Sequence, residues 1–174
     1  WIPGPRLKAS SFERTVNGER IEFAPGAEAT RRFAKDMIAL GVDSMKFILS
    51  GRGALEPAHR AQINYCDEEL AMVSAMARDA NVKLTCHTYM PDAVKLAVRH
   101  GFHCLYHCNF ADAEAIDMIE ARKAGKVRYV GFTGHTEPDV HLAMLAHGYP
   151  FDACQLPISA IEANSNAFVR RVLP

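Results

Sequence analysis

Val82-Lys83-Leu84-Thr85-Cys86-His87, a stretch from Asp92 to His100, Gly101, and then Cys104-Leu105-Tyr106-His107 make up the passage whose reading decides the fold. Two short apolar runs flank a segment of helical character, and Gly101 supplies the stop between that helix and the second run. A strand, a crossover helix and a second strand form a parallel pair, because only parallel neighbours need a long connection between them.

The same unit repeats on both sides. Upstream, Phe33, Ala34, Met37 and Ile38 recur at helical spacing between Glu28 and Leu40, and Gly41 follows. Ser44 to Leu49 is a short apolar run broken only by Lys46, the pattern of a buried parallel strand. Ser50-Gly51-Arg52-Gly53 opens a long loop to about Cys66. Asp67 is the expected N-cap of the next helix, with Glu68 and Glu69 in its first turn and Leu70, Met72, Val73, Met76 and Ala77 along it to about Asp79. Downstream, a helix is expected from Asp112 to about Ala124, ended by Gly125. A strand follows from Val127 to Phe132, a helix from Glu137 to His147 before Gly148, and a last strand from Phe151 to Gln155. Trp1 to about Gly26 shows no apolar periodicity and is punctuated by Pro and Gly, so it reads as irregular.

The alternation predicts an α/β fold with about five parallel strands and helical crossovers. No Gly-x-Gly-x-x-Gly follows the early strands, which removes the main signal for a dinucleotide-binding doubly wound sheet. Polar residues at the C-terminal ends of short strands favour a TIM-barrel-like (β/α) barrel. With 174 residues against the roughly 250 of a complete one, the expectation is a partial barrel. The chain starts at Trp1 and stops at Pro174, and both ends read as cuts through something longer.

Composition narrows the partners. The apolar share is 49%, and 20 basic residues balance 20 acidic ones. That balance, with no basic cluster interleaved with aromatics, argues against a nucleic-acid surface, and no apolar run is long enough to span a membrane. The expected partner is a small-molecule substrate. Five cysteines, three of them (Cys86, Cys104 and Cys154) in strand-like runs, fit reduced thiols in the cytoplasm rather than a disulfide framework. Cys104 and Cys108 have no second Cys pair to complete a zinc site.

The strand ends carry the chemistry. A lysine among Met45, Phe47 and Ile48 is costly to bury unless it is paired, metal-bound or modified. His87 and His107 end adjacent parallel strands and so face one mouth, where neutral imidazoles suit a shared metal. A lone strand-end histidine is more often structural, and a strand lysine can snorkel outward. The coincidence of three such residues at successive strands makes Lys46, His87 and His107 the candidate catalytic and metal-binding set.

These residues resemble a known family. Gly41-Val42-Asp43-Ser44-Met45-Lys46-Phe47-Ile48-Leu49-Ser50-Gly51, Asp67-Glu68-Glu69-Leu70, the strand ending in His87, and His107 with Asn109-Phe110 are similar to the amidohydrolase superfamily, in its imidazolonepropionase- and prolidase-like branch. Gly4-Pro5-Arg6 looks like that branch's loop, and the likeness covers about residues 1–119. It implies a hydrolase of amide-like C–N bonds that activates water on one or two divalent metals, zinc foremost. Lys46 would match the lysine that carbon dioxide carboxylates to bridge two metals, and His87 and His107 the single histidines of the following strands. The family's His-x-His pair occurs nowhere in this sequence, and its late-strand Asp has no counterpart here.

A second resemblance starts near Ala121. Ala124-Gly125-Lys126-Val127-Arg128-Tyr129-Val130-Gly131-Phe132-Thr133-Gly134-His135-Thr136 and Phe151-Asp152-Ala153-Cys154-Gln155-Leu156-Pro157 resemble the aldo/keto reductase family. That likeness implies NADP contacts at Thr133, Gly134 and Gln155, although the family's catalytic tetrad has no place in this chain. Segments 1–119 and 120–174 are thus expected to differ in likeness while forming one continuous structural domain. Three functions remain open at this point: a metal-dependent hydrolase, an NADP-dependent oxidoreductase segment, or a non-catalytic fusion of two barrel fragments. In each case open sheet edges are expected to drive self-association.

Overall fold

The computed structural model describes residues 8–14, 25–51, 62–108, 110–123, 131–133, 138–146, 148–155 and 171–172. The described elements run β1 (Ser10–Arg14), α1 (Ala27–Ala39), β2 (Ser44–Ile48), α2 (Asp67–Asp79), β3 (Lys83–Thr88), α3 (Pro91–Arg99) and β4 (Cys104–His107). After these come α4 (Ala113–Lys123), β5 (Gly131–Thr133), α5 (Pro138–Ala146) and β6 (Ala153–Gln155). The chain divides into two compact units, Trp1–Ile119 and Glu120–Pro174.

In the first unit β1, β2, β3 and β4 form one sheet in that order, every pair parallel. The joints from helix to strand are alike. Helix α1 ends in a left-handed Gly41 (φ 74°), whose N–H donates to Ile38 O while the Val42 N–H donates to Met37 O. Helix α3 repeats the pattern at Gly101 (φ 79°), and α2 achieves it with Asn81 (φ 55°). This double closure satisfies the last helical carbonyls and places an apolar residue, Val42, Val82 or Phe102, against the helix just before the next strand.

Strand alternation then sorts the side chains. Met45 and Phe47 of β2 lie in register with Leu84 and Cys86 of β3, and all four are buried beneath α1, α2 and α3. Phe47 is the centre, meeting the rings of Phe33, Tyr65 and Phe102 edge-on at 5.7, 5.5 and 6.1 Å. The opposite face carries Lys46 and Thr85, also in register. Core burial of this kind contributes about 1.5–3 kcal/mol for each large apolar side chain.

Two expectations need correction. Residues 10–14, read as irregular, form β1, which pairs with β2 through Glu13↔Lys46 and Arg14↔Phe47. The strand hides from pattern reading because charged residues hold its key positions. Arg14 is fully buried, with its guanidinium donating to Tyr65 Oη (3.1 Å) and Tyr65 Oη donating back to Arg14 O (2.9 Å). With β1 added, the described strands number six, against the expected about five, and the α/β alternation of parallel strands with helical crossovers is as expected. The N-cap of α2 is Cys66 rather than Asp67, because Glu69 reaches back to accept the Cys66 N–H (3.0 Å).

In the second unit β5 and β6 pair in parallel, Gly131 opposite Ala153 and Thr133 opposite Gln155. Buried His141 of α5 lies 5.2 Å from the Phe132 ring, and its Nε2 is 3.1 Å from Gln155 O. The expectations for Gly4-Pro5-Arg6, residues 52–61, Asn109, Gly125, Val127–Val130, Gly134, His135 and the segment after Gln155 up to residue 170 fall outside the described residues.

Candidate metal and catalytic site

His87 is the penultimate residue of β3 and His107 the last of β4. The register pairs His87 with Tyr106 and Thr88 with His107, so simple alternation would send His107 to the opposite face from His87. The backbone overrides this. His107 (φ 78°) and Cys108 (φ 52°) are both left-handed, a conformation that costs a non-glycine residue on the order of 1–3 kcal/mol. With the strand turned there, the His107 imidazole meets that of His87 at 4.5 Å between centroids, inclined at 71°. The two rings expected at neighbouring strand ends are thus brought into contact.

Tyr89, unnoticed in the sequence, completes the cluster. Its ring stands edge-on to His87 at 4.5 Å and tilted to His107 at 5.1 Å. Buried Ser50, just beyond β2, accepts the Tyr89 N–H on its Oγ at 2.8 Å, and the Tyr89 carbonyl accepts the Phe110 N–H at 3.1 Å. The Asn64 side chain donates to Ile48 O (2.9 Å), which holds the segment before α2 over the end of β2.

Lys46 stands on β2, in register with Thr85 of β3. Its Nζ lies 2.5 Å from Glu13 Oε1 and 4.7 Å from the centroid of Tyr106, and its side chain keeps 28% of its exposure. Of the three options for a strand lysine, the structure displays pairing. Glu13 was not found from sequence, because nothing in Ser10–Arg14 fixes a register. Burial, reinforced by Cys104, pushes the Tyr106 phenol up to about 12. Burial likewise pushes the Cys108 thiol up to about 12, and it raises Cys86 well above the ordinary thiol range. These thiols stay protonated at neutral pH and make poor nucleophiles. All five cysteines are free.

The donor set can be judged against a zinc centre. Two imidazoles in contact fit two of the four ligands of a tetrahedral site. Among the described residues no group of three or more His, Cys, Asp and Glu forms a fuller cage. In the second unit Thr133 and Gln155 end neighbouring strands in register. No helix among the described residues is long and apolar enough to cross a membrane.

No protein-family model matches the chain, and no curated protein matches it in sequence. Solved structures do. A putative prolidase from Bifidobacterium longum superposes with a TM-score of 0.61 at 22% identity, over 76% of this chain and 33% of that one. A Xaa-Pro dipeptidase with bound methionine in the active site gives 0.58 at 17% identity, over 76% and 36%. An amidohydrolase gives 0.54 at 24% identity, over 74% and 30%. The chain therefore spans about a third of the length of these structures. At such identities the likeness speaks for fold alone: parallel strands with helical crossovers, a stretch of a β/α barrel.

Proposed function

We propose that the chain carries part of a metal-dependent hydrolase of amide-like C–N bonds, with His87 and His107 as ligands to a divalent metal, zinc first among them. The observation that carries this reading is the contact of two imidazoles, 4.5 Å apart, delivered by the C-terminal ends of adjacent parallel strands. A β/α barrel assembles its chemistry at that end. A divalent ion held there supplies Lewis-acid polarisation of a carbonyl and makes water more acidic. The residues' own work is to bind and orient: each imidazole offers one ring nitrogen, and the buried Tyr89 ring limits water on one side of the pair. Lys46 enters as a further ligand only by leaving Glu13. The likeness in fold to a putative prolidase and a Xaa-Pro dipeptidase makes X-Pro dipeptides the first substrates to try.

Metal analysis of the purified protein tests the reading directly. Near-stoichiometric zinc or manganese in the wild type, lost in a His87→Ala, His107→Ala double mutant, is the expected result. Equal metal content in both proteins, or none in either, would overturn it.

A second reading rests on the resemblance of residues 124–136 and 151–157 to the aldo/keto reductase family. It makes the segment after Ile119 an NADP-binding piece of aldo/keto reductase type, and an unchanged NADPH fluorescence on titration would dispose of it. The free thiols support a reducing, cytoplasmic setting for either reading. Self-association through the outer strands of the first unit's sheet belongs to the same proposal.

A further inference from the structure

We infer that Tyr89 is the positioning residue of the histidine pair, and that Ser50 fixes Tyr89 in turn. The inference deepens the metal-site reading and rests on it for its purpose, though not for its test. Three strand ends meet at this tyrosine. Its N–H is bound by Ser50 Oγ (2.8 Å), just beyond β2, and it follows directly on β3. Its carbonyl accepts the Phe110 N–H (3.1 Å), three residues beyond the end of β4. The main chain at this point thus ties the end of β2 to the segment after β4, across β3.

The ring does the matching work between side chains. It stands edge-on to His87 (4.5 Å, 81°) and tilted to His107 (5.1 Å, 31°), while the imidazoles meet at 4.5 Å. Each ring therefore touches the other two. Imidazoles on flexible χ angles lose this mutual geometry unless a rigid neighbour restricts them, and a buried aromatic ring has few rotamers available. His107 has the greater need, because its left-handed backbone (φ 78°) leaves it outside ordinary strand alternation. Tyr89 supplies the wall against which the turned ring rests, and the hydroxyl of Ser50 keeps that wall from sliding along the strand.

The test reads ring geometry first without metal. In wild type, the ring protons of His87 and His107 are expected to show a nuclear Overhauser contact. Tyr89→Ala, with far-UV circular dichroism unchanged, should lose it, and Tyr89→Phe should restore it. Ser50→Ala retains all three ring-bearing residues but removes the Tyr89 N–H acceptor, and it should shift the ring proton resonances of both histidines. An undiminished His87–His107 contact in Tyr89→Ala, or ring resonances in Ser50→Ala identical to wild type, would overturn the inference. Cobalt(II) titration then adds the functional readout: affinity about 10- to 100-fold weaker in Tyr89→Ala and within a few-fold of wild type in Tyr89→Phe. Wild-type protein that shows the ring contact yet binds no cobalt would refute the metal reading while leaving the positioning role intact.

Discussion

A single carboxylate decides what Lys46 is in this molecule. Glu13 Oε1 holds its amine at 2.5 Å on the sheet face away from the helices, beside Tyr106. An ammonium so engaged must leave the carboxylate and give up a proton to solvent before its lone pair can attack carbon dioxide; the N–C bond then forms as one C=O bond becomes a C–O single bond, and a second proton is released. Wild-type protein in 13C-bicarbonate should therefore show no carbamate resonance, and Glu13→Gln should gain one that Lys46→Arg removes. A carbamate signal in wild type would show that the ion pair yields. Because both side chains are partly exposed, Glu13→Gln should cost no more than about 1 kcal/mol in denaturant unfolding. Lys95 is held more tightly, by Asp112 Oδ2 (2.9 Å) and Glu114 Oε2 (2.5 Å). The Lys95 hydrogen bond, followed by the Ala115 N–H, keeps the Asp112 carboxyl below its ordinary 3.8. A depressed carboxyl adds stability that is complete above the unfolded pKa, near pH 4, and is lost as pH falls through the folded value. Lys95→Met should accordingly flatten the acid limb of the stability curve, measured by urea titration at several pH values.

At the scale of elements, the joints and the tight strand contacts carry the strongest predictions. Phe47→Ala, at the centre of the aromatic cluster, should cost about 3–5 kcal/mol, read from the urea midpoint. A Cβ at Gly131 would stand 2.5 Å from the Ala153 carbonyl oxygen, so Gly131→Ala should part β5 from β6 and speed amide exchange there. At the exit of α2, Asn81→Gly should be tolerated, whereas Asn81→Val should cost about 1–2 kcal/mol in its left-handed position. The helices and most strands were legible because apolar spacing marks them and a closing glycine follows α1, α3 and α5. His87 and His107 were legible because strand ends are where a parallel barrel gathers polar groups. Strand β1 was not, since Arg14 is buried by partners far along the chain, and no local pattern announces them. Tyr89 escaped for a related reason: one aromatic residue after a strand acquires meaning only when β4 brings His107 alongside.

For the whole molecule, the two units have separate sheets, and the first sheet has β1 and β4 outermost among the described residues. Outer strands offer free ladder positions to another chain, and Phe12 on β1 is 66% exposed. Light scattering coupled to size exclusion should show association that grows with concentration, and Phe12→Lys should shift it towards monomer. A compact monomer at every concentration would contradict this. The repeated exit from helix to strand has a wider meaning. The left-handed residue, the pair of crossed N–H bonds and the apolar residue behind them complete each joint within about two residues. The crossed N–H bonds of each joint run back to carbonyls of the helix that it closes. A chain assembled from such self-contained couplings can gain, lose or exchange a β/α unit while its neighbours keep their phase, so recombination between barrels of different ancestry has ready-made points of exchange.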